Sequence, residues 1–219
     1  MTAGIDVSTF GYNPDTARFV NLQTGRFVSG DSVRDLVQTQ ITSGADRIGQ
    51  FADRVVSGQA SLQDLQNAMI SHLQEQHTAM HTLGRGGWRQ LTASDFRAIS
   101  AKLESEFTYL ENFLADIENG NLSAAQIKQR LQLYSDAIYG SYYDGLTEAH
   151  MSAGFDEEAR EIDAGAENCD DCLAYAAMGY QPINTLPSPG EQSRCMRKCR
   201  CKKVYRKSGR RNQRGARIR

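Results

Sequence analysis

Cysteine is missing from the first 168 residues of this 219-residue chain. Disulfide staples are therefore excluded from most of its length, and the bulk must fold on a core of its own. Proline is missing from Asp31 to Gly154, so nothing in that stretch forbids long helices. Long apolar runs are missing too, which excludes a membrane-crossing segment of the usual kind. The opening "MTAGIDVSTFGYNP" has neither a basic stretch nor an apolar one. It does not read as a secretory leader, and synthesis in a cytoplasm is expected. Acidic residues are missing from Arg194 to Arg219, which hold thirteen of the 25 Lys and Arg. Residues 1–193 carry all 26 acids, so a chain of net charge −1 divides into a body near −14 and a tail of +13. A basic tail of this kind seeks a polyanion or an acidic neighbour.

What is present between Asp31 and Gly154 is helical periodicity. A first helix is expected from about Ser32 to Val56, ending at Gly58. A second starts at "SLQD", where Ser61 and Asp64 form a capping box, and ends near Gly84. A third starts at "TASD" and ends at "NGN" (Asn119 to Asn121), with Ile99, Leu103, Leu110 and Leu114 on one seam. A fourth runs from Ser123 to about Ala149 and carries Tyr134, Tyr139, Tyr142 and Tyr143. Gly140 and Gly145 interrupt it, which predicts a bend or a close contact. Short links favour antiparallel neighbours. The expected fold class is therefore mainly α: an antiparallel helical bundle with an N-terminal β-hairpin and a small C-terminal zinc-binding module. The units expected are an arm over 1–30, a helical body over 31–160, a cysteine module over 161–205 and a basic tail over 206–219.

The hairpin is read from "ARFVNLQTGRFVS", with Phe19-Val20 and Phe27-Val28 on two short runs around a turn. Phe19 and Phe27 are candidate partner contacts, the alternative being that the hairpin covers the helical core. "GRGGWRQ" (Gly84 to Gln90) holds three glycines and the single tryptophan. Trp88 is either the cap of a tight turn or a third partner contact, since tryptophan is a common interface anchor.

All five cysteines lie within 33 residues, as C-x2-C, a gap of 22, then C-x3-C-x-C. In a cytoplasm such clusters bind metal more often than they form structural disulfides. Two close groups about twenty residues apart match a four-ligand zinc site. The intervening loop carries Pro182, Pro187 and Pro189 and little that builds a core, so a metal staple would hold what packing cannot. Four of Cys169, Cys172, Cys195, Cys199 and Cys201 are the expected ligands of a structural Zn2+, with Cys169 and Cys172 the firm pair. Disulfides remain the alternative.

The string C-x-x-C … L-P-x-P-G … C-x-x-x-C-R-C, ending at Cys201, resembles the C-terminal module of tailed-phage minor head proteins. It is similar to the head morphogenesis family named after the F protein of phage Mu, which ends in a C-x-x-C and a histidine-bearing C-R-C. Cys195 stands close to where that family often has its histidine, and this departure leaves the ligand set open. "RFVNLQTGRFVS" and "GRGGW" also resemble phage head proteins of the short type. The resemblance implies a structural protein of the virion or prohead, present in several copies. It would contact portal or capsid subunits and packaged DNA, with no membrane partner. The residues expected to meet phosphates or an acidic partner are Arg206, Lys207, Arg210, Arg211, Arg214, Arg217 and Arg219. With no aromatic residue and no base-reading element in that tail, binding would be blind to sequence.

An enzyme is not expected. His77 and His81 lie i,i+4, but residue 78 is threonine where a metalloprotease helix has glutamate. They read as a solvated polar face, and "FDEEAREID" (Phe155 to Asp163) as a solvated helix with i,i+4 ion pairs. Two rival functions stay open: a zinc-dependent DNA-binding regulator, and a phage-borne nuclease or effector using those histidines.

Overall fold

The structure, a computed structural model, describes residues 9–13, 16 and 18–210. It is mostly helical, with two small antiparallel sheets. Four long helices occupy the proline-free stretch: α1 (Gly30–Val56), α2 (Leu62–Arg85), α3 (Ala93–Glu118) and α4 (Ala124–Ser152). Their starts are set by side chains that satisfy otherwise unpaired N–H groups. Ser29 accepts the Ser32 N–H at 3.0 Å and starts α1 two residues earlier than the sequence suggests. Ser61 and Asp64 close the expected capping box on α2, and Gln126 reaches back to the Ser123 N–H at 2.9 Å on α4. On α3 Asp95 accepts the Thr92 N–H at 2.7 Å. None of these helices is long and apolar enough to cross a membrane.

The apolar stripes meet in two clusters. One gathers Val37, Ile41, Met80, Leu83, Ile138 and Tyr142; the other gathers Ile48, Leu65, Leu73, Leu110, Phe113 and Leu131. The closest helix pair is α2 with α4, and two glycines explain why. A Cβ at Gly84 would lie 2.1 Å from the Tyr142 carbonyl oxygen, and one at Gly145 would lie 2.2 Å from that of His81. Gly84 thus belongs to a helix crossing and not to the loop in which the sequence places it. Gly145 makes the close contact expected of it. Its neighbours are backbone atoms with no rotamer to give, so Gly145→Ala must push the helices apart. We expect a loss of about 3 kcal/mol, which for a chain of this size lowers Tm by roughly 6–12 °C in a calorimetric scan. Gly49→Ala on α1 is the control: a Cβ there meets nothing within 4 Å. Its gain in helix propensity makes it neutral or stabilising. Equal effects of the two substitutions would refute the crossing.

The N-terminal sheet has three strands: β1 (Phe10–Asn13), β2 (Arg18–Asn21) and β3 (Phe27–Val28). The expected hairpin is there, with Phe19 opposite Val28 and Val20 opposite Phe27, and β1 is added to its edge. This register puts Phe19 and Phe27 on opposite faces. Phe19, 2% exposed, fills the first helical cluster and is no surface contact. Phe27 is 63% exposed, with the Arg18 guanidinium 5.0 Å from its ring centre. Trp88 is half exposed in a short 3-10 turn that follows two glycines of positive φ.

The second sheet corrects the reading of "FDEEAREID". The segment is a strand, β4 (Glu157–Glu161), flanked by β5 (Gln181–Pro182) and β6 (Lys202–Arg206). Its acids pair across the sheet and not along a helix. Glu157 meets Arg206, Glu161 meets Lys202 at 2.6 Å, and Glu158 meets Lys203 at 3.0 Å. An acidic strand beside a basic one is favoured by cross-strand charge pairing. Part of the charge asymmetry is therefore consumed within the chain. This sheet begins at Glu157, a little before the expected start of the cysteine module.

A cysteine cluster as candidate metal centre

The five cysteines come together from three places. Cys169 is the N-cap of a short helix, α5 (Asp170–Ala177), and Cys172 lies in its first turn, fully buried. The proline-bearing loop then returns the chain, tied to α5 where Asp171 accepts the Arg194 N–H at 2.8 Å. Cys195 opens the 3-10 turn Met196–Lys198, Cys199 closes it, and Cys201 immediately precedes β6. On the other side Tyr143 of α4 donates to the Cys201 carbonyl at 3.3 Å, which docks the cluster on the helical body.

The Cys172 Sγ lies 3.5 Å from that of Cys195 and 3.6 Å from that of Cys199. Sulfurs around a tetrahedral zinc ion stand about 3.8 Å apart, given Zn–S bonds of about 2.3 Å, whereas a disulfide needs about 2.05 Å. All five cysteines are free. The thiols form two triads that share Cys172: Cys169, Cys172 and Cys195, and Cys172, Cys199 and Cys201. Within each triad the sulfurs lie within 4.8 Å of one another. This set can hold a metal ion. Soft thiolates suit zinc or another thiophilic metal, and an all-cysteine shell leaves no open position for catalysis.

The thiols differ in acidity. Burial pushes Cys199 up to about 12 and Cys195 up to about 11, and raises Cys172 and Cys201. Cys169 also meets a burial penalty, but the backbone N–H groups of Cys172 and Cys195 hold it down to about 7. A cation is the natural means of making the buried thiols into thiolates, because metal binding displaces their protons. Beside them sits Arg160 of β4, 3% exposed, with Nη1 3.9 Å from the Cys172 Sγ. Its Nη2 donates to the Pro187 carbonyl, and its Nε has no partner. Asn168 accepts from the Cys201 thiol at 3.6 Å. Neither Arg160 nor Asn168 stands out in sequence. The available signal was the complementary charge of "EEARE" and "KKVYR", two runs of five that predict a paired sheet next to the last cysteine.

The histidines overturn the expectation of a solvated face. His72, His77 and His81 are 7%, 0% and 2% exposed, because that side of α2 packs against α1, α3 and α4. His77 Nδ1 lies 2.7 Å from the Ser141 hydroxyl, and His81 Nε2 lies 2.8 Å from the Asp95 carboxylate. They serve separate partners. Among the described residues, the groups of side chains able to share a metal ion are made of cysteine alone.

The basic candidates divide. Arg206 is the last residue of β6, bound to Glu157 and stacked 3.7 Å from the Tyr180 ring centre. Lys207 lies over the Phe155 ring at 4.9 Å. Both are engaged within the chain and belong to the cysteine segment more than to a tail. Arg210 ends the last 3-10 turn, Ser208–Arg210. Arg211, Arg214, Arg217 and Arg219 lie outside the described residues. No family model matches this chain, and no curated protein or solved structure matches it.

Proposed function

We propose that the chain is a non-enzymatic structural protein of a tailed phage head, with an antiparallel helical bundle that carries a zinc-stapled module. The observation that supports this best is the convergence of C-x2-C and C-x3-C-x-C into one cluster of free thiols. That is the arrangement which the resemblance to phage minor head proteins implies for these residues. Zinc would close the module by joining α5 to the loop before β6, and its all-sulfur shell gives it a structural role. The bundle would supply the assembly surface, with Phe27 and Trp88 as half-exposed or exposed anchors toward portal or capsid subunits.

The test of this function is composition. Mass spectrometry of purified particles should find the chain as a constituent in several copies, and its absence from particles would end the proposal. The basic end would meet packaged DNA through phosphates. Ending the chain at Arg210 removes Arg211, Arg214, Arg217 and Arg219. Each lost phosphate contact takes about 0.9 from the slope of log affinity against log salt, so the slope should fall by about three to four. An unchanged slope on unrelated duplexes would mean that this segment meets protein.

A further inference from the structure

We propose that Arg160 is the buried counter-charge of the cysteine-bound metal ion and sets how tightly the site holds it. This rests on the metal reading above and adds to it a residue that is not a ligand. Guanidinium stays charged in proteins, so Arg160 at 3% exposure needs an anion or carries a heavy desolvation cost. No carboxylate serves it among the described residues. Glu158 lies two residues away on the same face of β4, yet its carboxylate is already taken. It accepts from Lys203 at 3.0 Å and from the backbone N–H groups of Thr185 and Leu186 at 2.9 and 2.7 Å. Lys203, directly opposite on β6, is a second buried cation but is paired with Glu158. The remaining neighbours of the guanidinium are neutral: the Pro187 carbonyl and the Tyr175 ring, 5.2 Å from Cζ. What remains is the Cys172 sulfur at 3.9 Å.

Neutral thiols or disulfides would leave this charge without an anion. Zinc held by four thiolates carries about −2 at the site, and a guanidinium at its edge offsets part of that. The basic residues on the outside do this less well. Arg194 is 69% exposed and pairs with Asp170 and Asp171, and Arg200, equally exposed, pairs with Asp163.

The test uses the full chain with Arg160→Gln, Arg160→Lys and, as a surface control, Arg194→Gln. Zinc affinity is read by competition with a chromophoric chelator, and cobalt in place of zinc reports thiolate coordination through its charge-transfer band. Arg160→Gln should weaken zinc binding by about tenfold to a hundredfold, as removal of outer-shell partners does. Arg160→Lys should recover much of the loss, and Arg194→Gln should stay within a few-fold of the parent. The sign of the Tm change should also depend on metal. Arg160→Gln should lower Tm of the zinc-loaded protein. After chelation, when the parent's guanidinium has no anion, the same substitution should leave Tm unchanged or raise it. A Tm loss of equal size with and without zinc, or an affinity unaltered in Arg160→Gln, overturns the inference and leaves the metal reading standing. A parent chain that takes up neither zinc nor cobalt overturns the metal reading itself.

Discussion

Replacing Cys172 with serine should abolish zinc uptake, while at least one of the other four cysteines should be dispensable. Cys172 is the only thiol shared by both triads, and four of the five possible four-sulfur shells include it. The fifth, Cys169 with Cys195, Cys199 and Cys201, has no thiol common to both triads to hold it together. Five thiols for four positions leave one spare. Serine scanning with metal analysis would therefore give one null variant and a graded series, and the mildest variant names the spare residue. The structural consequence is large. The apolar core around the cysteines consists of little beyond Cys172, Cys199 and Cys201 with Ile162 beside them. Zinc binding to such small modules is worth on the order of 10 kcal/mol of folding free energy. Chelation or Cys172→Ser should open the segment from α5 to the turn at Met196–Lys198 to proteolysis, while far-UV helicity falls only slightly. The four long helices hold their own two clusters, to which none of the cysteines belongs. A metal-free chain as resistant to protease as the loaded one would refute the staple.

The helices were legible because their signals are local. Ser61 with Asp64, Thr92 with Asp95 and Ser123 with Gln126 are short-range pairs that a sequence displays directly. The cysteine spacing was legible for a similar reason, since two close groups must fold back to share anything. What escaped depends on distant partners. The strand β4 looks like a charged helix until β6, about forty residues on, supplies Lys202, Lys203 and Arg206 as its cross-strand partners. Gly84 looks like a loop residue until Tyr142 of α4 comes within contact of it. Arg160 looks like one more surface charge until the strand carries it under the cysteine loop. The histidines of α2 misled most. Polar residues at 72, 76, 77 and 81 suggest a wet face, but the helix is surrounded. Several polar atoms in that interior, the Nε2 of His72 and of His77 among them, have no hydrogen-bond partner.

Burial of His72, His77 and His150 predicts an acid-labile helical body, and the expected result is a steep loss of stability between pH 6.5 and 4. Burial holds His72 down to about 4, with Arg47 adding to the effect. His77 is held to about 3 by burial, then by Lys102 and His72. His150 lies at about 4, again through burial. Its Nδ1 donates to the Leu146 carbonyl at 2.8 Å, so its Nε2 accepts from the Tyr12 hydroxyl at 2.7 Å, and the neutral ring is fixed between Tyr12 and Tyr205. In each case the folded-state value lies below the unfolded one of about 6.5. The unfolded chain thus binds the proton more readily, and stability must fall as pH drops through this window. At pH 4 each group costs about 3 kcal/mol, because every pH unit below the unfolded value and above the folded one costs about 1.36 kcal/mol. Three such groups rival the whole stability of an ordinary domain, about 5–15 kcal/mol. The measurement is helical circular dichroism against denaturant from pH 7 to pH 4, with chelator present throughout so that zinc release does not enter. His72→Gln separates cause from coincidence, because it keeps a polar side chain of similar reach that cannot take the proton. It should move the acid transition downward by several tenths of a pH unit or more. A transition that stays where it was would show that protons act elsewhere, on carboxylates, and a body equally stable at pH 7 and pH 4 would refute the acid lability itself.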